Sequence, residues 1–512
     1  MVNPVVVGSE ALLPADVVAV ARRMAPVRLD GGAGKGIEAS RAIVEQHLGR
    51  ERPIYGLNTG IGALADVRIP PEDLGQLQRN IIRSHAAGTG ELLPQEVVRA
   101  MMLLRARTLA AARSGVRLDV VERLLDLLNR GIHPAVPSRG SVGASGDLAP
   151  LAHIALCLLG EGRVLTDDGE TEPADEAYRR ADLAPLELQA KEGIAMINGT
   201  EGMVALGLLA HHDAAALLKM ADIVAAMTVE AALGTDRPFA EDLMALRPHP
   251  GQAAAASNLR RILNGSSIIA SHRESVHAVQ DPYSMRCAPQ VHGAVRDTHA
   301  FTAEVLQREL GSVTDNPVVL PDGRVESAGN FHGEPLAYAL DFLAVGMSGL
   351  GNVAERRTFW LLGPAQTRGL PPFLSTHPGI GSGYMLAQYT QAALVSECKV
   401  LAQPAGLDSI PTSGTQEDHV SMGWLSGLKL RRVVELAATI VAIEALCAAQ
   451  GLDLRRPLVP AAGTEAAHTA LRERVPFLEE DRAVSEDILG AETTMREGAL
   501  IRAVEDIVGS LR

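Results

Sequence analysis

Residues 141–150 read SVGASGDLAP, and at the centre of this run Ala144-Ser145-Gly146 sets a hydroxyl between two of the smallest side chains. One chemistry uses all three residues. The unhindered Gly146 nitrogen attacks the Ala144 carbonyl carbon; loss of two waters closes a five-membered ring and turns Ser145 into a dehydroalanine, an electrophile that takes an amine without any added cofactor. A nucleophilic serine fits less well. It would need G-x-S-x-G after an apolar strand, whereas Gly143-Ala144-Ser145-Gly146 runs on into Asp147 and the preceding PSRGSVG is no strand. A chain rich in Ala and Gly also produces this tripeptide by composition, as a small-residue turn, so the residues alone leave both readings open.

Other residue types scattered along the chain suit proton transfer and anion recognition. Tyr55 and Tyr283, two of only six tyrosines, sit in loops marked by Gly or Pro, where a packing role with a satisfied hydroxyl competes with acid–base work. Arg286 follows Tyr283 by three residues, a spacing that puts both on one side of a turn; its guanidinium suits a bidentate grip on a carboxylate, with a surface ion pair as the ordinary alternative. Asn198, in I-N-G-T, reads equally as a turn residue. Ser413-x-x-Gln416 looks like a capping box, which would place Glu417 in the next helical turn, favoured by the helix dipole with no function at all.

These residues need elements to hold them. Asp147 reads as an N-cap, Pro150 is tolerated in a first turn, and Leu148, Leu151, Ala155, Leu158 and Leu159 form a helical apolar face. The tripeptide therefore precedes a helix N-terminus, where unpaired N–H groups favour developing negative charge. The first 200 residues are heavily punctuated. From 201 onward the spacing predicts long Ala- and Leu-rich helices over 201–228, 290–311, 334–360, 383–402 and 418–449. Pro- and Gly-rich connections at 247–252, 314–317, 369–373 and 410–416 lie at their ends, where side chains can converge on a cleft. DGGAGKG at 30–36 misses the phosphate-loop spacing because Gly36 follows Lys35.

Composition narrows the function classes. The 512 residues are 47% apolar, 21% charged and only 3% aromatic, a helix-rich globular balance. The net charge of −14 comes from dispersed Asp and Glu, with no basic cluster for nucleic acid or an anionic membrane. No segment reaches the ~18 uninterrupted apolar residues of a spanning helix and the N-terminus has no cationic leader, so a cytoplasmic location is expected. Cys157, Cys287, Cys398 and Cys447 form no C-x-x-C pair, and no H-E-x-x-H or H-x-x-x-H spacing implies a metal.

The motif SVGASGDLAPLAH at 141–153 resembles the signature of the histidine and aromatic amino acid ammonia-lyases. The resemblance extends over nearly the whole chain: YGLNTGIG at 55–62, SHAAG at 84–88, NGTEGM at 198–203, QDPYSMRCAPQ at 280–290, DNP at 315–317, GNFHGEP at 329–335 and QEDHVSMG at 416–423. Within the family, SHAAG, QDPYS-R-C and QEDHVSM are similar to the histidine-specific branch. Phenylalanine-type members carry a Gln-containing segment where Glu417 stands and lack the Ser84-His85 pair. Four positions depart from the commonest family pattern: Ile61 replaces a Phe, Glu201 stands where Gln is frequent, and Ala288 and His292 flank the QDPYSMRC segment.

The resemblance implies a mainly α fold, a long-helix bundle of the fumarase/aspartase-like kind: an N-terminal part, 1–200, carrying the prosthetic group, then a helical bundle and C-terminal helical region, 201–512. It implies a 4-methylidene-imidazol-5-one (MIO) self-formed from Ala144-Ser145-Gly146, no external cofactor, and a homotetramer whose active sites combine residues from more than one subunit. The implied reaction is L-histidine to trans-urocanate and ammonia, opening histidine degradation. The amine is a poor leaving group and the β-proton is not acidic, so attachment to an electrophile answers the first difficulty and a positioned base the second. The resemblance assigns Tyr55 to proton handling near the leaving ammonia and Tyr283 to the β-proton. It assigns Arg286 to the substrate carboxylate, Asn198 to that carboxylate or the ring, Gln280 to a neighbouring polar contact, Glu417 and His85 to the substrate imidazole, and Phe331 to packing on either ring. Two rivals stand beside it: a phenylalanine or tyrosine ammonia-lyase or aminomutase, and a helical scaffold that has lost its chemistry.

Overall fold

The computed structural model describes residues 3–48, 52–275, 277–363 and 368–512, and they are mostly helical. The long helices fall at Glu201–Ala231, Ala288–Glu309, Glu334–Leu362, Met385–Leu401 and Gly423–Leu454, close to the expected spans. One start differs. The last of them begins at Gly423 rather than 418, because Thr412–Glu417 closes on itself instead: Thr412 N–H donates to the Glu417 carbonyl at 2.9 Å. Only a 3-10 turn, Ser413–Thr415, forms there, with Ser413, Gly414 and Thr415 all at positive φ. The expected capping box is therefore absent. Ser413 Oγ instead accepts the Ala63 N–H at 3.1 Å.

The chain divides into two units, Met1–Leu209 with Ala303–Leu340 and Pro404–Leu428, and Ala210–Thr302 with Asp341–Gln403 and Lys429–Arg512. All strands of the described residues lie in the first unit. They make a parallel pair Val5–Val7 and Val27–Leu29, antiparallel pairs Thr89–Leu92 with Pro137–Arg139 and Val318–Val319 with Val325–Glu326, and a three-stranded sheet of His133–Pro134, Arg163–Leu165 and Thr171–Pro173. Each is too short to stand alone; helices do the supporting.

The central support of the first unit is Gln95–Ala110, buried on every side from Val97 onward. A helix with no solvent face belongs to a core, yet this one carries three arginines. Each donates to acceptors that close loops around it, although Arg105 Nε has no partner among the described residues. Arg99 donates to Val20 O, Leu128 O and His133 Nε2; Arg107 holds the carbonyls of Ser9, Glu10, Gly311 and Ser312; Arg105 reaches Ala195 O, Asn198 O and Glu201. Buried charges need such partners. The loop carrying Tyr55 is anchored by Leu57, which joins Val44 and Val319 in a fully buried apolar cluster.

In the second unit, helices are pinned by buried carboxylates. Glu444 accepts from Thr228 Oγ1 at 2.8 Å and from Arg357 at 2.5 and 2.8 Å. Asp222 accepts from His292, Asn258 and Arg296. Ala288 and His292, two of the departures from the family pattern, are thereby explained as core residues, both 0% exposed. The helices Glu334–Leu362 and Gly423–Leu454 are long and apolar enough to cross a membrane, but 61% and 83% of their most apolar windows are buried in protein. That is the signature of core helices.

Candidate active site

The helix Leu148–Leu158 begins directly after the tripeptide, as its apolar spacing predicts. Asp147 occupies the N-cap position but makes no side-chain cap. It is pulled inward instead: Oδ1 accepts from Ser141 Oγ at 2.9 Å and Oδ2 from the Met203 N–H at 2.8 Å. Burial pushes its carboxyl up to about 7, partly opposed by those two donors.

The turn itself is tight. Gly143, Ser145 and Gly146 have φ of 70°, 52° and 74°; for Ser145 that left-handed conformation costs roughly 1–2 kcal/mol. Gly146 is obligatory here, since a Cβ would lie 2.0 Å from Gly199 O. The segment 198–203 clamps the turn from that side: Asn198 Nδ2 donates to Ser145 O at 2.8 Å, and Asp147 N–H to Gly199 O at 2.7 Å. Segments 333 and 421–422 clamp the other, where Ser421 Oγ and Gly333 N–H both donate to Gly143 O and Met422 N–H donates to Val142 O.

Around Ser145 the first unit gathers side chains from distant parts of the chain. Ser145 Oγ donates to Glu417 Oε1 at 3.3 Å, and Thr412 Oγ1 donates to Glu417 Oε2 at 2.7 Å. Tyr55 Oη accepts the Gly62 N–H at 3.3 Å. Burial raises its pKa above the ordinary phenol value; the Gly62 bond opposes this and the Glu417 charge adds to it. His85 ends the helix Leu74–His85, with Nδ1 2.8 Å from Ile81 O. A carbonyl can only accept, so Nδ1 carries the proton and Nε2 keeps its lone pair. Burial lowers the His85 pKa, against the opposing Ile81 carbonyl and Glu417 charge, so the ring is neutral at pH 7.

Phe331 is half-buried just ahead of the Gly333 contact to the turn. Asn198 is buried, and its Oδ1 has no hydrogen-bond partner among the described residues. Tyr283, Arg286 and exposed Gln280 belong to the second unit. Tyr283 and Arg286 begin and end a four-residue helix, the guanidinium lying 4.5 Å from the ring centroid, and Arg286 Nε donates to Asp281 O. Their three-residue spacing thus does put them on one side of a turn.

Sequence reasoning missed Arg105 and Thr412. Arg105 grips the backbone on both sides of Asn198's helix end and pairs with Glu201 at 2.8 Å, both nearly fully buried. The signal was present: arginines inside the apolar run VVRAMMLLRARTLA require buried acceptors. Thr412 had no such signal, because only the closed 412–417 turn brings its hydroxyl to Glu417. The ring expected from Ala144-Ser145-Gly146 fits these surroundings: the turn has no space for a larger residue at 146, and Asn198 already holds the Ser145 carbonyl.

The family model for aromatic amino acid lyases matches residues 12–473. The chain belongs to the aromatic amino acid lyase family and is a carbon–nitrogen lyase. Over 511 residues, all of both chains, it is 50% identical to histidine ammonia-lyase of Streptomyces coelicolor. Its fold is similar to the crystal structure of histidine ammonia-lyase from Trypanosoma cruzi, with TM-score 0.91 and 41% identity over 98% of this chain and 95% of that one. It is also similar to tyrosine aminomutase from Streptomyces globisporus, with TM-score 0.94 and 37% identity over 99% and 100%.

Proposed function

We propose that this protein deaminates L-histidine to trans-urocanate and ammonia, through an MIO formed by its own Ala144-Ser145-Gly146. The observation that carries the reading is Glu417 held against Ser145, with the neutral His85 ring close enough to feel the Glu417 charge. An imidazole has two ring nitrogens. With the substrate ring as an imidazolium both nitrogens carry N–H, so His85 Nε2 accepts from one and the Glu417 carboxylate from the other, a pairing that a phenyl or phenol ring cannot use on both sides.

The ring, once formed, supplies an electrophile for the substrate. The chain's own residues do the rest. Tyr55, held protonated by its raised pKa, hands a proton to the amine as it leaves. Tyr283 receives the β-proton, and Arg286 binds the carboxylate as a fork. Asn198 and Gln280 orient the substrate, and Phe331 packs against its ring. We place Gln280, Tyr283 and Arg286 at sites shared between subunits of a homotetramer in the cytoplasm, with the MIO-bearing part at 1–200.

The likeness to a tyrosine aminomutase keeps a second reading alive, in which the substrate is tyrosine or phenylalanine. Supplying L-histidine, L-phenylalanine and L-tyrosine separately to the purified protein distinguishes them. Urocanate alone supports the proposal; coumarate, cinnamate or a β-amino acid replaces it with the second reading. No product, together with an intact mass lacking the deficit of two waters, would make the chain a scaffold. Ser145→Ala is expected to fold and be inactive.

A further inference from the structure

We propose that His332, Glu334 and His419 bind one divalent transition cation of the zinc class. One ligand atom from each lies within 4.8 Å of the other two, although 87 residues separate the two histidines. All three belong to the first unit.

Three features of the geometry point to an ion rather than to mutual hydrogen bonding. First, the separations are too long for hydrogen bonds: His332 Nδ1 is 3.8 Å and His419 Nε2 3.5 Å from Glu334 Oε2, outside the usual 2.7–3.2 Å. Donors around a tetrahedral ion with bonds of ~2.0–2.1 Å stand roughly 3.3 Å apart, close to both His–Glu separations. Second, His332 Nε2 lies 3.1 Å from His419 O. The carbonyl accepts, so the proton sits on Nε2 and the Nδ1 lone pair faces Glu334, which is the tautomer a ligating histidine adopts when its other nitrogen is held by an acceptor. Third, Glu334 Oε2 is buried without a hydrogen-bond partner among the described residues.

Two imidazoles and one carboxylate are a borderline donor set that suits zinc, cobalt or nickel over calcium or magnesium. A cavity of about 550 Å³ lined by Ser312, Thr314, Asn330, His332 and Glu334 leaves room for a water or small anion as the fourth ligand. The parallel His332 and His419 rings flank segments that carry Phe331 and Glu417, so a bound ion ties those two segments together. The cation site does not depend on which amino acid is the substrate.

The test is Co²⁺ titration of the full-length, chelator-stripped protein, read by visible absorption and calorimetry, with His419→Ala and Glu334→Gln alongside. His419 is 65% exposed at its side chain, so its loss leaves folding intact, which thermal unfolding checks. The expected result is one ion per chain with a tetrahedral spectrum, affinity lower by about 10-fold or more in each variant, and a Zn²⁺-dependent rise in Tm seen only in the unsubstituted protein. Absence of Co²⁺ binding, or binding unchanged in both variants, overturns the proposal.

Discussion

The Ser145 hydroxyl donates to the Glu417 carboxylate across 3.3 Å, although 272 residues separate them in the chain. Thr412 holds the other carboxylate oxygen, and that contact keeps Glu417 in place once ring formation removes the Ser145 hydroxyl. A charge positioned in this way acts without reorganising during the reaction.

Glu417→Gln keeps the shape and the Thr412 contact but removes the charge. A hydrogen bond to a charged group contributes about 1.5–3 kcal/mol, so kcat/KM for L-histidine should fall by roughly 10- to 100-fold. Steady-state kinetics on the variant check this, and an unchanged kcat/KM removes Glu417 from substrate recognition.

Gly146→Ala places a Cβ 2.0 Å from Gly199 O at a φ of +74°. The turn cannot keep its clamp on the 198–203 segment, so the variant should lose both stability and the two-water mass deficit. Intact-mass spectrometry and thermal unfolding report the two losses separately; a variant with normal mass deficit and normal Tm would contradict the packing described for this turn.

Arg105 and Glu201 form a buried pair in the first unit. Removing one partner of such a pair costs about 3–5 kcal/mol, and Arg105→Met should also free the Asn198 carbonyl. Glu201→Gln restores the residue common in the family and keeps an acceptor for Arg105, so its cost in denaturant unfolding should be the smaller of the two. Equal losses would show that the charge of Glu201, rather than its acceptor, is what Arg105 needs.

His133 sets an acid limit on stability. Arg99 Nη1 donates to His133 Nε2 at 2.7 Å, which requires a neutral ring, and burial with the Arg99 charge lowers its pKa to about 4. The folded-state value is below the unfolded value of 6.5, so the unfolded chain takes up the proton first. Stability is full above pH 6.5 and falls by up to ~3 kcal/mol as pH drops towards 4. His211, stacked on His299 and lowered to about 4 mainly by burial, acts in the same direction. His133→Gln should flatten the stability profile across that window; a profile as steep as before assigns the acid sensitivity to other groups.

Local rules made much of the fold legible. Helical periodicity in 201–228, 290–311, 334–360 and 383–402 survives in the structure because each stretch carries enough apolar surface to need a buried face, whatever its neighbours are. The tripeptide before a helix start was legible for the same reason, as were the cores around Leu148–Leu158. The resemblance supplied roles for residues that spacing alone left open.

The failures have a common physical cause. Asp147 and Ser413 read as caps because their spacing satisfies the local rule, but each side chain found a partner elsewhere: Asp147 on Ser141 and Met203, and Ser413 on Ala63. A capping preference is worth about 1 kcal/mol, less than the cost of leaving a buried donor unpaired, so tertiary partners override it. By itself, then, the sequence determined which segments are helical and which residues carry reactive groups, since those follow from side-chain type and period. Only the tertiary structure decided that Glu417 faces Ser145, that Arg105 braces Asn198, and that His332 and Glu334 meet His419. Those pairings bring together residues 87 to 272 positions apart or buried polar groups seeking partners, and no local preference encodes a distance of that kind.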